Sequence, residues 1–334
     1  RMTQKTTERP AAGRWGDRLV QRREALFSTL LPAALTLYLA SYFPWSDLLS
    51  DTLTVGGDTP AHAYLVSQLA SAFAESGRLI SWAPGWWCGF PLFQFYFPFP
   101  YLLIAGLGTI IPPHIAFKLI SVAGLLLCPL SAWGLGRLLR LPRPVPDLFA
   151  ILTLPFLFVH THVMWGANVY STLAGMIANS LSFPLMLIVI GAAYRDAEAS
   201  RFRIRTALLI ALLIGSHFFT VVVAALTLAL LPFLWPRRFW KTAGLLAAEG
   251  GLAALLMAWW LIPLILKSDF TAEFGDNWPV RLWLTFPGYK YLLIPLILVG
   301  LAAAIRRRER PFFLLFWMAA LALDERRSDA SDNI

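Results

Sequence analysis

Asp58 is an acidic side chain whose position local signals fix. It follows Gly56 and Gly57 and precedes Thr59 and Pro60, the arrangement of a helix N-cap, with proline at an early helical position. A helix N-terminus orients a carboxylate and favours its ionised form, so the same residue can cap a helix or act as a base. His62 lies one turn further on, where its imidazole can join Asp58 in a site. Beyond it runs a dense aromatic block, Trp82, Trp86, Trp87, Phe90, Phe93, Phe95, Tyr96, Phe97, Phe99 and Tyr101, stiffened by Pro84, Pro91, Pro98 and Pro100. Trp and Tyr gather at membrane interfaces. Belt residues are spread over many loops, however, whereas these share one proline-stiffened segment beside an acid, which favours a rigid wall facing lipid or sugar.

The elements that must hold these groups are membrane helices. Of 334 residues 58% are hydrophobic and 14% charged, with a mean hydropathy of +0.63; soluble domains carry about a quarter charged residues. The net charge of +9 does not indicate nucleic acid, because the basic residues are scattered in short clusters between apolar runs. Cys88 and Cys128 lie in unlike contexts and suggest neither a disulfide framework nor a zinc site. No cofactor and no metal is expected.

Basic clusters occur at Arg14 to Arg23, Arg137 to Arg143, Arg195 to Arg205, Arg237 to Lys241 and Arg306 to Arg310. The positive-inside rule makes them cytoplasmic, so neighbouring clusters must be separated by an even number of crossings. The first span is then Leu26 to Phe43, followed by Ala116 to Leu135, Val145 to Val159 and Thr172 to Tyr194. The charge-free run from Thr206 to Trp235 would be about 45 Å long as one helix. Parity therefore divides it into two short helices with a break near Gly215, Ser216 and His217. Thr242 to Leu266, Tyr291 to Ile305 and Phe312 to Leu323 complete an all-α polytopic protein of about nine spans. Phe97 to Ile111 is too short and too rich in proline to cross, and reads as a half-inserted element on the outer side.

The domain organisation is a basic cytoplasmic N-terminus (1–25), a transmembrane domain (26–323) whose first outer loop covers 44–115, and a polar tail (324–334). The N-terminal apolar segment reads as a retained span in a bacterial-type inner membrane, and the opening at Arg1 suggests a piece of a longer chain. In the outer loop, Ala63, Val66, Leu69, Ala70 and Phe73 predict an amphipathic helix from Thr59 to Ser76. All five histidines, His62, His114, His160, His162 and His217, fall on the outer side. Glu249 is an acid within a span and reads as packing glue that reaches Lys241 or a neighbouring arginine.

The succession Gly57-Asp58-Thr59-Pro60-Ala61-His62, Gly77, Trp82 to Phe93, Phe95-Tyr96 and Pro98 to Leu103 resembles the first outer loop of 6-pyruvoyl-tetrahydropterin synthase-related membrane proteins. Trp165-Gly166, Ser216-His217 with Thr220, and Ala258 to Leu264 extend the resemblance. These proteins are similar to YfhO-like and other C-type (GT-C) glycosyltransferases, which take a sugar from a polyprenyl phosphate donor. The resemblance implies a GT-C-like helical bundle in which Asp58 takes the proton of an acceptor hydroxyl as its oxygen attacks the anomeric carbon. The departing phosphate would need cations. Arg78, Lys267, Arg281 and Lys290 face outward, with Lys118 able to snorkel to the same level. His62, Trp86, Trp87 and Tyr96 are the implied substrate-contacting partners of Asp58. The donor and membrane lipid are the expected partners, together with partner membrane proteins.

Many C-type transferases carry a second acid near the first. The second outer loop, from His160 to Tyr170, has none. Asp47, Asp51, Asp269, Glu273 and Asp276 remain as candidates. This departure sustains an alternative, a non-catalytic subunit that keeps the fold and scaffolds a larger membrane complex or binds lipid.

Overall fold

The computed structural model describes residues 28–86, 88–159, 166–271, 293–307 and 309–323. The expected first span is α1 (28–42), followed by the short α2 (Trp45–Leu48). Two helices form the centre: α5 (Pro113–Leu138) and α8 (Ile177–Ala199), the two described helices that are individually long and apolar enough to cross a membrane. Their backbones touch at Gly124, where an added Cβ would sit 2.1 Å from the Ser180 carbonyl oxygen. Small residues permit such approach where lipid supplies no hydrophobic drive between helices.

Around this pair lie α6 (Val145–Leu157), α9 (Ile204–Ile214), α10 (Phe218–Ala229), α11 (Leu231–Leu234), α12 (Phe239–Leu256), α13 (Ala258–Leu266), α14 (Leu293–Arg307) and α15 (Arg310–Leu323). The charge-free run does break at Gly215 to His217, between α9 and α10. The expected span from Thr242 to Leu266 is in fact broken at Met257. The segment Phe218–Leu234 meets Pro236–Leu256 at 98°. Helical membrane architecture therefore holds, while several expected crossings are shorter than a full span.

Four of the five basic clusters meet at one end, and the first, Arg14 to Arg23, lies outside the described residues. Arg140 and Arg195 both reach Glu198, at 3.4 and 3.1 Å. Arg238 donates to Ser200 Oγ (2.6 Å). Arg310 donates to the Leu234 carbonyl and lies over the Trp235 ring. Ser28, at the start of α1, donates to Asp147 at the start of α6. This basic pole lies at the far end of α8 from the Asp58 region, about 34 Å along a helix of that length.

The opposite pole is built from α3 (Thr59–Ser76), a hairpin of β1 (Ser81–Ala83) and β2 (Phe90–Leu92), and α4 (Phe99–Leu107). The strands are antiparallel, Ser81 opposite Leu92 and Ala83 opposite Phe90, a small exception to the all-α expectation. The α3 boundaries match the expected ones, but its buried stripe is rotated. Leu65, Val66 and Leu69 are buried together with His62, whereas Phe73 is 58% exposed. The first half of α3 packs on the hairpin and α4, and the second half projects beyond them, so the periodic pattern continues where no partner surface exists. Part of the aromatic block is core of this pole: Phe93 and Tyr101 are buried with Leu65, Leu92 and Ile104, and Trp86, Phe90 and Tyr96 pack partly buried against them, whereas Trp82 is 65% exposed.

Candidate functional site

Asp58 occupies the N-cap position of α3, but its side chain makes no capping hydrogen bond, contrary to the cap reading. The backbone does the anchoring. Asp58 N–H donates to the Ala174 carbonyl (2.9 Å), and its own carbonyl accepts from His62 N–H (3.0 Å). Gly57 has φ +48°, and a Cβ there would lie 2.1 Å from the Ala174 oxygen. Gly175 has φ +114°, and its Cβ would come 2.9 Å from that of Asp58. Glycine alone meets both conditions, positive φ and backbone approach. Asp58 itself is exposed, and among the described residues its carboxylate has no hydrogen bond or ion pair.

Behind it, His62 is 8% exposed and its Nδ1 lies 2.6 Å from the Tyr101 hydroxyl. Burial holds His62 below its ordinary pKa, opposed by the charge of Asp58 and a hydrogen bond with the Gly175 backbone. The imidazole thus ties the start of α3 both to α4 and to the segment before α8. Tyr96 stacks edge-on with Tyr101, centroids 5.7 Å apart, and burial raises its pKa. The arrangement is a rigid, mostly neutral floor beneath one ionisable surface carboxylate.

The 174–176 segment that receives Asp58 is itself fixed. Asn168 caps α7 (Val169–Leu173) by accepting from Ser171 N–H (2.8 Å), and Thr172 bonds to Ser180 of α8. His217, between α9 and α10, packs on Phe97 at 5.3 Å, and Phe99 N–H donates to Gly215 O. Trp260 of α13 donates to the Phe93 carbonyl at 2.8 Å. Three separate stretches of chain, α3 through His62, the Gly215 to His217 break and α13 through Trp260, therefore converge on residues 93–101.

Other expected members are elsewhere. Arg78 follows the C-terminus of α3, about 27 Å of helix away from Asp58. Lys118 does not snorkel: it is 3% exposed, and its ammonium donates to the carbonyls of Asp47 and Ser50 and to Ser50 Oγ. It pins the loop after α2. Trp86 stacks on Tyr64 (5.6 Å, 16°), two residues along α3 from His62 and on a different face of the helix. Asp51 and Lys267 are exposed, and the Asp47 carboxylate accepts from the adjacent Ser46 hydroxyl in α2 (3.5 Å). Trp87, Arg281, Lys290, Glu273, Asp276, His160 and His162 lie outside the described residues. Glu249 is fully buried and accepts from the backbone N–H of Arg203 (3.3 Å), so its neighbour is an arginine's main chain, not Lys241. Among the described residues no group of three metal-ligating side chains forms.

Tyr101, Ala174 and Gly175 are members that the sequence reading did not place in the site. Tyr101 looked like one aromatic among ten. The Ala174-Gly175 contact joins chain segments more than a hundred residues apart, and no local pattern announces it. No curated protein and no solved structure matches this chain. Residues 93–322, more than two thirds of its length, match the family described as 6-pyruvoyl-tetrahydropterin synthase related domain, a membrane protein. That stretch contains α4 through α14 and Tyr96, Tyr101, Gly175 and His217, while Asp58 and His62 lie ahead of it. With its helical bundle and apolar spans, this chain belongs to the 6-pyruvoyl-tetrahydropterin synthase-related family of membrane proteins.

Proposed function

We propose that the chain is a membrane glycosyltransferase that moves a sugar from a polyprenyl phosphate donor to an acceptor hydroxyl, with Asp58 as general base. The observation that carries this reading is the state of Asp58: at a helix N-terminus, locked through its backbone, exposed, and with its carboxylate unspent. A structural cap would have consumed that oxygen. An exposed, unengaged carboxylate on a fixed backbone can accept a hydroxyl proton as the nucleophile forms, and the phosphate leaves as a stable anion. The gathering of basic clusters at the opposite pole supports a cytoplasmic N-terminus and an outer-leaflet position for Asp58. A bacterial-type inner membrane is part of the same proposal.

A second reading, a non-catalytic subunit that scaffolds a larger membrane complex or binds lipid, draws on a different observation. An apolar cavity of about 450 Å³ lies between α8, α9, α10, α11 and α12, and its lining contains none of Asp58, His62, Tyr96 or Tyr101.

Transfer from a polyprenyl-linked sugar, measured for the full chain and its Asp58→Asn variant, separates the two. The enzymatic reading expects a 10²- to 10⁴-fold loss of rate, of the size a positioned base supplies, with unchanged thermal stability. Turnover equal to that of the unmodified chain removes Asp58 as base.

A further inference from the structure

The strongest features outside the Asp58 pole are two that share one helix. At the start of α9, residues Arg201 to Arg205 line an open depression. Arg203 is committed to the fully buried Asp196, which also accepts from Thr206 (2.5 Å). Arg201 and Arg205 are exposed and form no ion pair among the described residues. Further along the same helix, Ile210 and Leu213 line the 450 Å³ cavity, together with Ala224 and Leu228 of α10 and Ala247 and Gly250 of α12. Its lining has no polar side chain. Gly250 lines it, and a Cβ built there meets no atom within 4 Å, so a larger side chain has room at that position.

Water is poorly held in such a cavity, because it needs two to four polar partners. A flexible hydrocarbon chain has no such requirement. The step along α9 from Arg205 to Ile210 and Ile214 is about 7 to 14 Å. That is the step along the axis alone: at about 3.6 residues per turn Ile210, Leu213 and Ile214 leave α9 on a different face from Arg205, so the charged head sits at the helix end and the apolar chain turns onto the cavity side. Basic pockets between membrane helices take anionic headgroups by this complementarity.

We propose that Arg201, Arg205 and the α9–α10–α12 cavity form a binding site for an anionic phospholipid, its phosphate on the two arginines and one acyl chain in the cavity. The site stands independently of the reading of Asp58 and is about the length of α8 away from it.

The test uses the full chain in detergent with phosphatidylglycerol or phosphatidylcholine added, read as the shift in melting temperature and as lipid retained in native mass spectrometry. Phosphatidylglycerol is expected to raise the melting temperature and to be retained, and phosphatidylcholine to do neither. Each of Arg201→Gln and Arg205→Gln weakens phosphatidylglycerol binding about fivefold. Gly250→Leu, which extends into the cavity, removes retention. Equal retention of both lipids overturns the proposal, as does a phosphatidylglycerol response that survives the double arginine variant. An equal shift from inorganic phosphate alone overturns the acyl half. Should Gly250→Leu fail to fold, the unmodified chain and a phosphatidylglycerol carrying a photoreactive acyl chain decide the matter. Crosslinks on α9, α10 or α12 support the site, and their absence from all three overturns it.

Discussion

The two poles of the bundle treat their carboxylates in opposite ways. Asp196, at the basic pole, is fully buried, and both its oxygens are engaged, one by Arg203 and one by Thr206. Asp58, at the other pole, is exposed and held only through its main chain. One charge has been taken out of water and neutralised to join helices α8 and α9. The other has been positioned and left unneutralised. The same contrast holds for the cations: Lys118 is consumed by loop carbonyls, whereas Arg201 and Arg205 remain open to a ligand. What marks a residue as available for chemistry here is a rigid backbone combined with an unspent side chain, and charge by itself does not distinguish the two poles.

If that contrast is correct, removing the acids must have opposite consequences. Asp196→Ala strands Arg203 without its partner and should cost about 3 kcal/mol of stability, by the penalty for breaking a buried pair. Asp58→Ala should stay within about 0.5 kcal/mol of the unmodified chain, as surface changes do. Denaturant unfolding in detergent reads both, and equal losses at the two positions would erase the distinction.

The backbone lock on Asp58 is tested next. Gly57→Ala drives a Cβ against the Ala174 carbonyl at a positive φ and should cost about 2 kcal/mol, within the range for strained backbone. Gly77 is a matched control, since it too has positive φ but its Cβ would meet nothing within 4 Å. The loss at Gly77→Ala should be the smaller of the two, and the difference measures the close approach.

Beneath Asp58, Tyr101→Phe leaves His62 Nδ1 without its 2.6 Å partner in a buried setting. A loss of about 1 to 2 kcal/mol is expected, the cost of an unsatisfied buried polar group. Retained stability in a thermal melt would mean that the bond contributes nothing net.

The smallest effect is pH dependence. Burial lowers the pKa of His62 from its ordinary 6.5, so below that value the unfolded chain binds a proton that the folded chain resists. The contribution is fully present above pH 6.5 and is lost as pH falls through the depressed folded value. Melting temperature should therefore drop more steeply below pH 6.5 in the unmodified chain than in His62→Gln. Parallel curves would show that His62 stays neutral in neither state.

Much of this was legible along the chain. The α3 boundaries follow from a Gly-Gly-Asp-Thr-Pro start and a Gly77 stop, both local signals. The break at Gly215 to His217 follows from a length that fits neither one crossing nor two full ones. The grouping of four basic clusters at one end follows from the positive-inside rule, which depends only on where Lys and Arg fall between apolar runs. By contrast, the α3 stripe was displaced, because periodicity shows that a helix has an apolar face and not where its partner ends. Arg78 and Lys118 could not be assigned by charge, since one lies a helix length from Asp58 and the other is spent on carbonyls that no pattern connects to it.

Composition and periodicity alone determined a membrane solvent, apolar helices, the order of elements and a carboxylate at the mouth of a surface helix, because each depends on residues close in sequence. Tertiary structure decided that this carboxylate does not cap its helix, that Ala174 and Gly175 lock it, that His62 and Tyr101 lie beneath it, and that α9 carries arginines beside an apolar cavity. Those outcomes rest on contacts between segments far apart in the chain. Such contacts depend on how side chains of particular volume pack between helices, and local sequence carries almost no information about that.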